Sequence, residues 1–394
     1  MANYESVEFN PAVLRSLRTQ LAYSANEVAG LSNIPADRYH ALEVGEAQPK
    51  SAELKRLAKF FRVKEFSFLR RSAPSKSKEI NFRARMPRYK GEPGPILDAI
   101  EFASGIQRLL LSVSDTRSLW RSQNTRSLNL NSDVETEAQW WRKSLAIEDS
   151  VQLDIPSHDK FFMFFRSRVE QKGISVLVYS FEEKAFKGLT FGSKEDVPVV
   201  LINSYKQQKS SRTFTLAHEL GHVLLEEDGV SNPYDPSTRI ERFCNNFAAA
   251  ILMPRNLMSE LLQRRRGSFT SNATIKWLSN KLKVSLEAVV IRLVECGFAE
   301  SGFWQTWKSQ FSGYLPSEED AGGGGGSEEG VDQGLVKLAY FGFLFGQLVP
   351  DRFRENGLTG MAVYKASRLK PGYLPDLSRA AKQRLSEVRS YEGT

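Results

Sequence analysis

The sequence predicts a mostly helical protein that also contains a small β-sheet, an arrangement of the α+β class. Apolar residues recur three and four positions apart through most of the chain, which is the spacing of one helix face. Two short runs, 174–179 and 197–202, are instead rich in β-branched residues and predict strands. No internal repeat accompanies these patterns. A single small sheet among many helices is therefore expected.

The helical pattern is interrupted at two places that predict linkers. Residues 70–94 are polar and basic and are broken by three prolines, and residues 313–334 contain five consecutive glycines flanked by acids. Ser24 followed by Glu27 three positions later predicts an N-terminal capping box. Helices are expected over 10–64 (several short ones), 95–130, 134–147, 160–172, 211–226, 238–252, 272–297 and 335–390.

Composition narrows the class of protein. The chain has 394 residues, which suggests more than one domain, and a formal net charge of +8, which permits contact with nucleic acid without requiring it. Only two cysteines are present, Cys244 and Cys296, too few for a disulfide framework. No run reaches the length of about 18 apolar residues that a membrane helix requires. We therefore expect a cytoplasmic protein with no membrane partner.

The segment RTFTLAHELGHVLLEEDG at 212–229 carries a metal-binding pattern. Residues four apart share one face of a helix, so His218 and His222 are placed to hold one Zn²⁺ and leave other positions open. Glu219 lies beside the first of these ligands, placed to take a proton from an attacking water molecule. This pattern predicts a zinc-dependent peptidase centre with Glu219 as the general base.

The next predicted helix, RIERFCNNFAAAILMP at 239–254, offers a third ligand, Glu241. Asn245 lies one turn further on the same face, where it would orient a ligand. Gly221 on the first helix would let another backbone approach closely. The alternative for Glu241 is an ordinary acid in the first turn of a helix. Cys244 is either a small buried residue or a group that points toward the metal.

An HExxH pattern also occurs by chance in ordinary helices. Here the flanking residues are apolar, as a buried active-site helix requires, and a helix that carries a glutamate follows at a suitable distance. Both observations favour the metal site.

These two segments, RTFTLAHELGH and then ERFCNNFAAAILMP, resemble the ImmA/IrrE metallopeptidase family. The resemblance extends more weakly over about 133–300. It implies zinc ligation by His218, His222 and Glu241, a general base at Glu219, and a small sheet packed on the active-site helices. It also implies cleavage of repressor-type proteins. A strand at 197–204 would then lie near the cleft, either as an edge that binds substrate or as ordinary core.

Residues 10–64 resemble an XRE (Cro/C1-type) helix-turn-helix domain, on the segment SANEVAGLSNIPADRYHALEVGEAQPK. The resemblance implies a recognition helix from about residue 35 that contacts double-stranded DNA through Ala36, Arg38 and His40, with Lys50 on a phosphate. It also implies a homodimer. The alternative is a helix-turn-helix that binds another protein, because Asp37 would repel phosphate.

The expected domains are a helix-turn-helix domain (1–70), a basic linker and helical connector (71–132), a peptidase-like domain (133–312), a Gly-rich acidic linker (313–334) and a small helical C-terminal region (335–394). Two functions remain open at this point. One is a zinc endopeptidase joined to a DNA-binding regulator, which cleaves a repressor-type protein or itself. The other is a DNA-binding repressor or antitoxin-like regulator whose peptidase-like domain is a sensor.

Overall fold

The structure of the chain is a computed structural model that describes residues 9–20, 23–61, 63–69, 94–113, 126–182, 186–194, 197–231, 238–265, 267–311 and 332–392. The predicted linkers fall almost entirely on residues 70–93 and 312–331, outside the described residues. The chain divides into two compact units, 1–104 and 105–394.

The first unit contains short helices joined by tight turns, as the sequence predicts. Its capping box is present: the Glu27 amide donates to Ser24 Oγ (3.3 Å), and the Ser24 amide donates to Glu27 Oε2 (2.8 Å). Asn33 takes a left-handed conformation (φ 54°) in the turn between the second and third helices. The helices are α1 (Pro11–Gln20), α2 (Ala25–Leu31), α3 (Ala36–Val44), α4 (Ser51–Phe61), a 3₁₀ turn (Glu65–Leu69) and α5 (Gly94–Ser112), of which α5 continues into the second unit.

The second unit begins within α5. The single helix predicted over 95–130 is too long, because α5 ends at Ser112 and residues 126–130 are not helical. The other helices of this unit are α6 (Val134–Ser144), α7 (Asp149–Asp154), α8 (His158–Gln171), α9 (Lys209–Leu224), α10 (Arg239–Leu252), α11 (Arg255–Gln263), α12 (Asn272–Leu282), α13 (Leu286–Glu295), α14 (Phe303–Phe311), α15 (Gln333–Arg354), α16 (Gly360–Ser367) and α17 (Leu374–Arg389).

One sheet of four strands lies among these helices, which confirms the α+β class. Its strands are β1 (Ser175–Tyr179), β2 (Gly188–Phe191), β3 (Val199–Asn203) and β4 (Gly229–Ser231), in the order β1-β3-β2-β4. The pair β1–β3 is parallel, whereas β2 is antiparallel to both β3 and β4. Both predicted strands are confirmed as β1 and β3.

The strand β3 is an interior strand, so the suggestion that it is a substrate-binding edge is wrong. Its five residues are all buried, and it is hydrogen-bonded to a strand on each side. Among the described residues, β1 and β4 are therefore the outer strands of the sheet. The core of the unit is formed by aromatic and aliphatic side chains of the sheet and of helices α6 to α13, among them Trp141, Phe161, Phe165, Phe247 and Leu278.

The long helix α15 is broken at Gly342, whose φ of 78° and ψ of −177° are not helical. A buried ion pair on α8 fits into this break. Arg166 donates to Ala339 O (2.7 Å) at the end of the first half, and Glu170 accepts from Phe343 N (2.8 Å) at the start of the second half. Arg166 thus meets carbonyls at the end of the first half of the helix, and Glu170 meets amides at the start of the second half, as the dipoles of two helix ends favour.

The same ion pair also satisfies the outer edge of β1. Arg166 donates to Val176 O, and Glu170 accepts from Val176 N (3.3 Å). Burial raises the pKa of Glu170 to about 7, against the opposing effects of Arg166 and of the backbone amides. Helix α15, in the region that the sequence predicts as a small helical C-terminal part, therefore packs directly on β1 within the second unit.

Among the described residues, no helix is both long and apolar enough to cross a membrane.

Candidate metal centre

Helix α9 delivers three of the predicted site residues to the interior. His218 and His222 stand one turn apart, with ring centroids separated by 4.7 Å. Neither of these two residues has any exposed surface, and Glu219 has none either. Leu216, Leu220 and Val223 on the same helix are buried in the core, so their apolar contacts fix how the helix is rotated.

Helix α10 delivers the fourth residue. Thr238 caps this helix by accepting from the Glu241 amide (3.1 Å), which fixes the first turn where Glu241 stands. The two helices approach closely at Gly221, as the sequence predicts, because a Cβ there would lie only 3.2 Å from Cys244 Sγ. Cys244 therefore packs against Gly221 and does not belong to the group of clustered ligand atoms, which favours the interpretation of a small buried residue.

The ligand atoms of His218, His222 and Glu241 converge on one point. His218 Nε2 lies 3.0 Å from His222 Nε2 and 3.1 Å from Glu241 Oε2, and His222 Nε2 lies 3.4 Å from Glu241 Oε1. Zinc bonds of 2.0–2.1 Å at tetrahedral angles place neighbouring ligand atoms about 3.3 Å apart. The three residues therefore fit a zinc ion, and they are the one such group among the residues that the structure describes.

Asn245 orients the first of these ligands. Its Oδ1 lies 2.8 Å from His218 Nδ1, so the ring donates its Nδ1 proton to the amide oxygen. This tautomer leaves the Nε2 lone pair directed at the cluster, which is the usual arrangement of a histidine that binds a metal.

The cluster keeps its carboxylate ionised. Burial acts to raise the pKa of Glu241, but the close approach of the His218 and His222 rings outweighs that effect and holds the pKa below the ordinary value. An ionised glutamate and neutral imidazoles are the forms that bind zinc.

Glu219 lies in a polar cradle that the sequence does not predict. Thr190 Oγ1 on β2 donates to Glu219 Oε2 (2.6 Å), and Ser231 Oγ on β4 donates to Glu219 Oε1. Gly188 pairs with Ser231 across these two strands and leaves room for the carboxylate. Burial raises the pKa of Glu219, and nearby His218 and the two hydroxyls oppose that rise. A carboxylate with a raised pKa is suited to accept a proton near neutral pH.

We expect Gly188→Ala to lower kcat roughly a hundredfold while zinc stays bound. A Cβ at this position would lie 2.6 Å from Glu219 Cδ, so the carboxylate must move by about an ångström. A displacement of that size can lower the rate of a reaction about a hundredfold. Steady-state kinetics and zinc content measure the two effects separately. Gly372→Ala, where a Cβ meets nothing within 4 Å, is the matched control. An unchanged kcat in Gly188→Ala would show that catalysis does not depend on the position of the Glu219 carboxylate.

The far end of α10 is also fixed by buried polar side chains. Arg142, Gln152 and Arg292 donate to the carbonyl oxygens of residues 251, 252 and 253, over 2.7, 2.9 and 3.0 Å respectively. These bonds satisfy carbonyls that the helix itself leaves free. Both ends of the ligand helix are thus anchored.

The predicted DNA-contacting residues lie in the first unit. Ala36, His40 and Lys50 are exposed, as contact with DNA requires. Arg38 is instead paired with Glu53 (Nη2 to Oε2, 3.0 Å) and also donates to Gln48 O (2.7 Å). Contact of these four residues with DNA stays a prediction.

Known proteins resemble the part of the chain that carries the metal centre. Residues 169–294 match the peptidase M78 family model, the IrrE N-terminal-like domain. The radiation response metalloprotease IrrE of Deinococcus radiodurans is 35% identical over 105 residues, which are 25% of this chain and 31% of that protein. The radiation response metalloprotease IrrE of Deinococcus deserti is 43% identical over 74 residues, 17% of this chain and 26% of that protein.

The chain thus spans about a third of the length of these relatives, or less. The matched stretch contains the sheet of the described residues, helices α9 and α10, and the three clustered residues His218, His222 and Glu241. Residues 169–294 are therefore similar to the IrrE N-terminal-like domain.

Proposed function

We propose that this chain is a zinc-dependent endopeptidase coupled to a DNA-binding transcriptional regulator. Its substrate would be a repressor-type protein, or the chain itself, in a stress or mobile-element switch. The observation that carries the proposal is the convergence of His218, His222 and Glu241 on one point beside a buried glutamate. A sensor would need the three ligands but would not need Glu219.

Each residue has a distinct role in the proposed reaction. His218, His222 and Glu241 hold the ion, and two imidazoles with one carboxylate are a donor set that suits zinc. Zinc, when bound, polarises the peptide carbonyl and makes water more acidic. Glu219 takes the proton of the attacking water and passes it to the departing amine nitrogen. Thr190 keeps the Glu219 carboxylate in place through its hydrogen bond.

Metal content per chain is the first measurement that tests this proposal. We expect about one zinc in the wild type and a loss of tenfold or more in zinc affinity in Glu241→Ala, because a catalytic site needs three protein ligands. Elemental analysis after dialysis at a fixed zinc concentration measures this. Glu260→Ala removes an exposed carboxylate paired with Arg264 and serves as the control. Wild-type protein without zinc would rule out the peptidase.

The DNA-binding half of the proposal depends on the first unit. Its helices α2 and α3 are joined by a short turn, and Ala36, His40 and Lys50 are exposed around the second of them. Phosphate contacts release counterions, so specific binding to an upstream operator should weaken steeply as salt increases. Binding to DNA that is insensitive to salt, or no binding at all, would favour a protein partner for this unit. A homodimer is part of the same proposal.

A second candidate function is a regulator whose peptidase-like unit senses a metal or a ligand. The observation in its favour is that His218, Glu219 and His222 have no exposed surface, so a substrate has no open path to them in this conformation. Two variants distinguish the candidates. If Glu219→Gln leaves the cellular response unchanged while His218→Ala abolishes it, the unit is a sensor.

A further inference from the structure

The edge strand β4 closes one side of the candidate metal centre. It has only three residues, which pair antiparallel with β2 through Gly188 and Ser231, Leu189 and Val230, and Thr190 and Gly229. So short an edge strand makes few ladder hydrogen bonds of its own, and Asp228 just before it adds bonds by accepting from Gly192 N, Ser193 N and Ser193 Oγ at the end of β2. Gly229 in this strand has a φ of 151°, which other residues rarely adopt, and a glycine loses more backbone entropy than any other residue when it becomes ordered. β4 is therefore the element of this sheet best suited to leave it.

Strand β4 contacts the proposed general base, Glu219, through the side chain of Ser231. Each oxygen of the Glu219 carboxylate accepts a hydroxyl, Oε2 from Thr190 and Oε1 from Ser231. Glu219 has no exposed surface, so a water molecule must first gain access to one of these oxygens before the residue can act as a base. Thr190 belongs to β2, which is bonded to a strand on each side, whereas Ser231 belongs to the edge strand. Ser231 is thus the donor whose departure frees the base.

We propose that β4 is a built-in occluding strand that occupies the substrate-binding edge of β2. When β4 leaves, Ser231 frees Glu219 Oε1 and the edge of β2 becomes open to an extended segment of polypeptide, which takes its place as an added strand. This inference rests on the proposed peptidase function. It identifies the substrate as an unfolded or extended segment and makes displacement of β4 the step that activates the site.

Two variants loosen β4 by different means. Ser231→Ala removes the hydroxyl on Glu219, and Gly229→Ala strains the strand but keeps that hydroxyl. In zinc-loaded full-length protein, we expect both to bind a leucine hydroxamate, a zinc-binding peptide mimic, roughly tenfold to a hundredfold more tightly than the wild type. For Ser231→Ala that range corresponds to the loss of one hydrogen bond to a charged group, and for Gly229→Ala it corresponds to a comparable backbone strain. Hydrolysis of unfolded casein should increase in parallel.

Hydrogen exchange in zinc-free protein gives a readout independent of activity. Amides of β2 and β4 should exchange about tenfold faster in both variants, whereas those of β1 and β3 should not change. Thr190→Val should instead lower casein hydrolysis, because Thr190 positions the base and does not block it. Ser279→Ala is the control, since it removes a buried hydroxyl bonded to Val284 O elsewhere in the unit.

The outcomes separate this inference from the proposed function. If wild type and variants bind zinc and the hydroxamate equally well, or if Ser231→Ala lowers hydrolysis as Thr190→Val does, β4 does not occlude the site and the peptidase function still stands. If none of the proteins binds zinc, both the peptidase function and the occluding strand are wrong.

Discussion

Glu219→Gln is expected to lower the kcat for peptide hydrolysis about a thousandfold while the zinc content stays at the wild-type level. A positioned general base contributes roughly 10²–10⁴-fold, and glutamine cannot take the proton. Glutamine keeps the volume of the side chain and still accepts a hydrogen bond from Thr190, so the fold should change little. Steady-state kinetics with a cleaved substrate, together with elemental analysis of the same sample, measure both effects.

The control for this variant is Glu226→Gln, which changes a glutamate shortly after the same helix. It should leave kcat within about twofold of the wild type. Wild-type rates in Glu219→Gln would show that this carboxylate is not the base, and the peptidase mechanism would then be wrong even with zinc bound.

Arg166→Met is expected to lower the free energy of unfolding by about 3–5 kcal/mol, the usual effect of removing one partner of a buried ion pair. The variant leaves the carbonyls of Val176 and Ala339 without their donor, and it leaves Glu170 without its cation. Chemical unfolding of the full chain at pH 8 measures the loss. The exposed Arg354, paired with Asp351 on the same helix, gives the control Arg354→Met, which should cost less than about 1 kcal/mol.

The effect of Arg166→Met should also depend on pH. Burial already raises the pKa of Glu170 to about 7, and loss of the neighbouring cation raises it further. A carboxyl group whose pKa is higher in the folded protein than in the unfolded chain lowers the free energy of unfolding as the pH rises from the unfolded pKa to the folded pKa. In the wild type, the loss of stability caused by Glu170 ends near pH 7, whereas in Arg166→Met this loss continues above pH 7. If the difference in the free energy of unfolding between wild type and Arg166→Met is the same at pH 6 and at pH 8.5, this explanation is wrong.

The sequence predicts the ligand helices well because their signals are local. The four-residue spacing of His218 and His222 fixes a shared face, and Thr238 before Glu241 is a cap that the structure contains. The sequence does not predict β2 and β4, because strands of four and three residues are too short to show an alternating pattern. Their residues Gly188 and Ser231 meet Glu219 only after the sheet has formed.

Long-range pairing explains the other differences from the sequence-based expectations. Arg38 on α3, which the sequence predicts to contact DNA, pairs instead with Glu53, fifteen residues further along the chain. The break in α15 follows from Gly342, but no local pattern shows that Arg166 and Glu170 would fill it. Pairings of this kind depend on the packing of distant elements, which neither propensity nor periodicity encodes.

The break in α15 has a consequence for how this protein can be divided into fragments. The match to known proteins ends at residue 294, and a fragment cut there would contain the whole metal centre. It would lack residues 335–394, so Arg166 and Glu170 would face water and the outer edge of β1 would lie open to other molecules. Open strand edges template association between chains. Such a fragment should therefore self-associate through β1, and only a chain that retains its C-terminal helices should remain dispersed at high concentration.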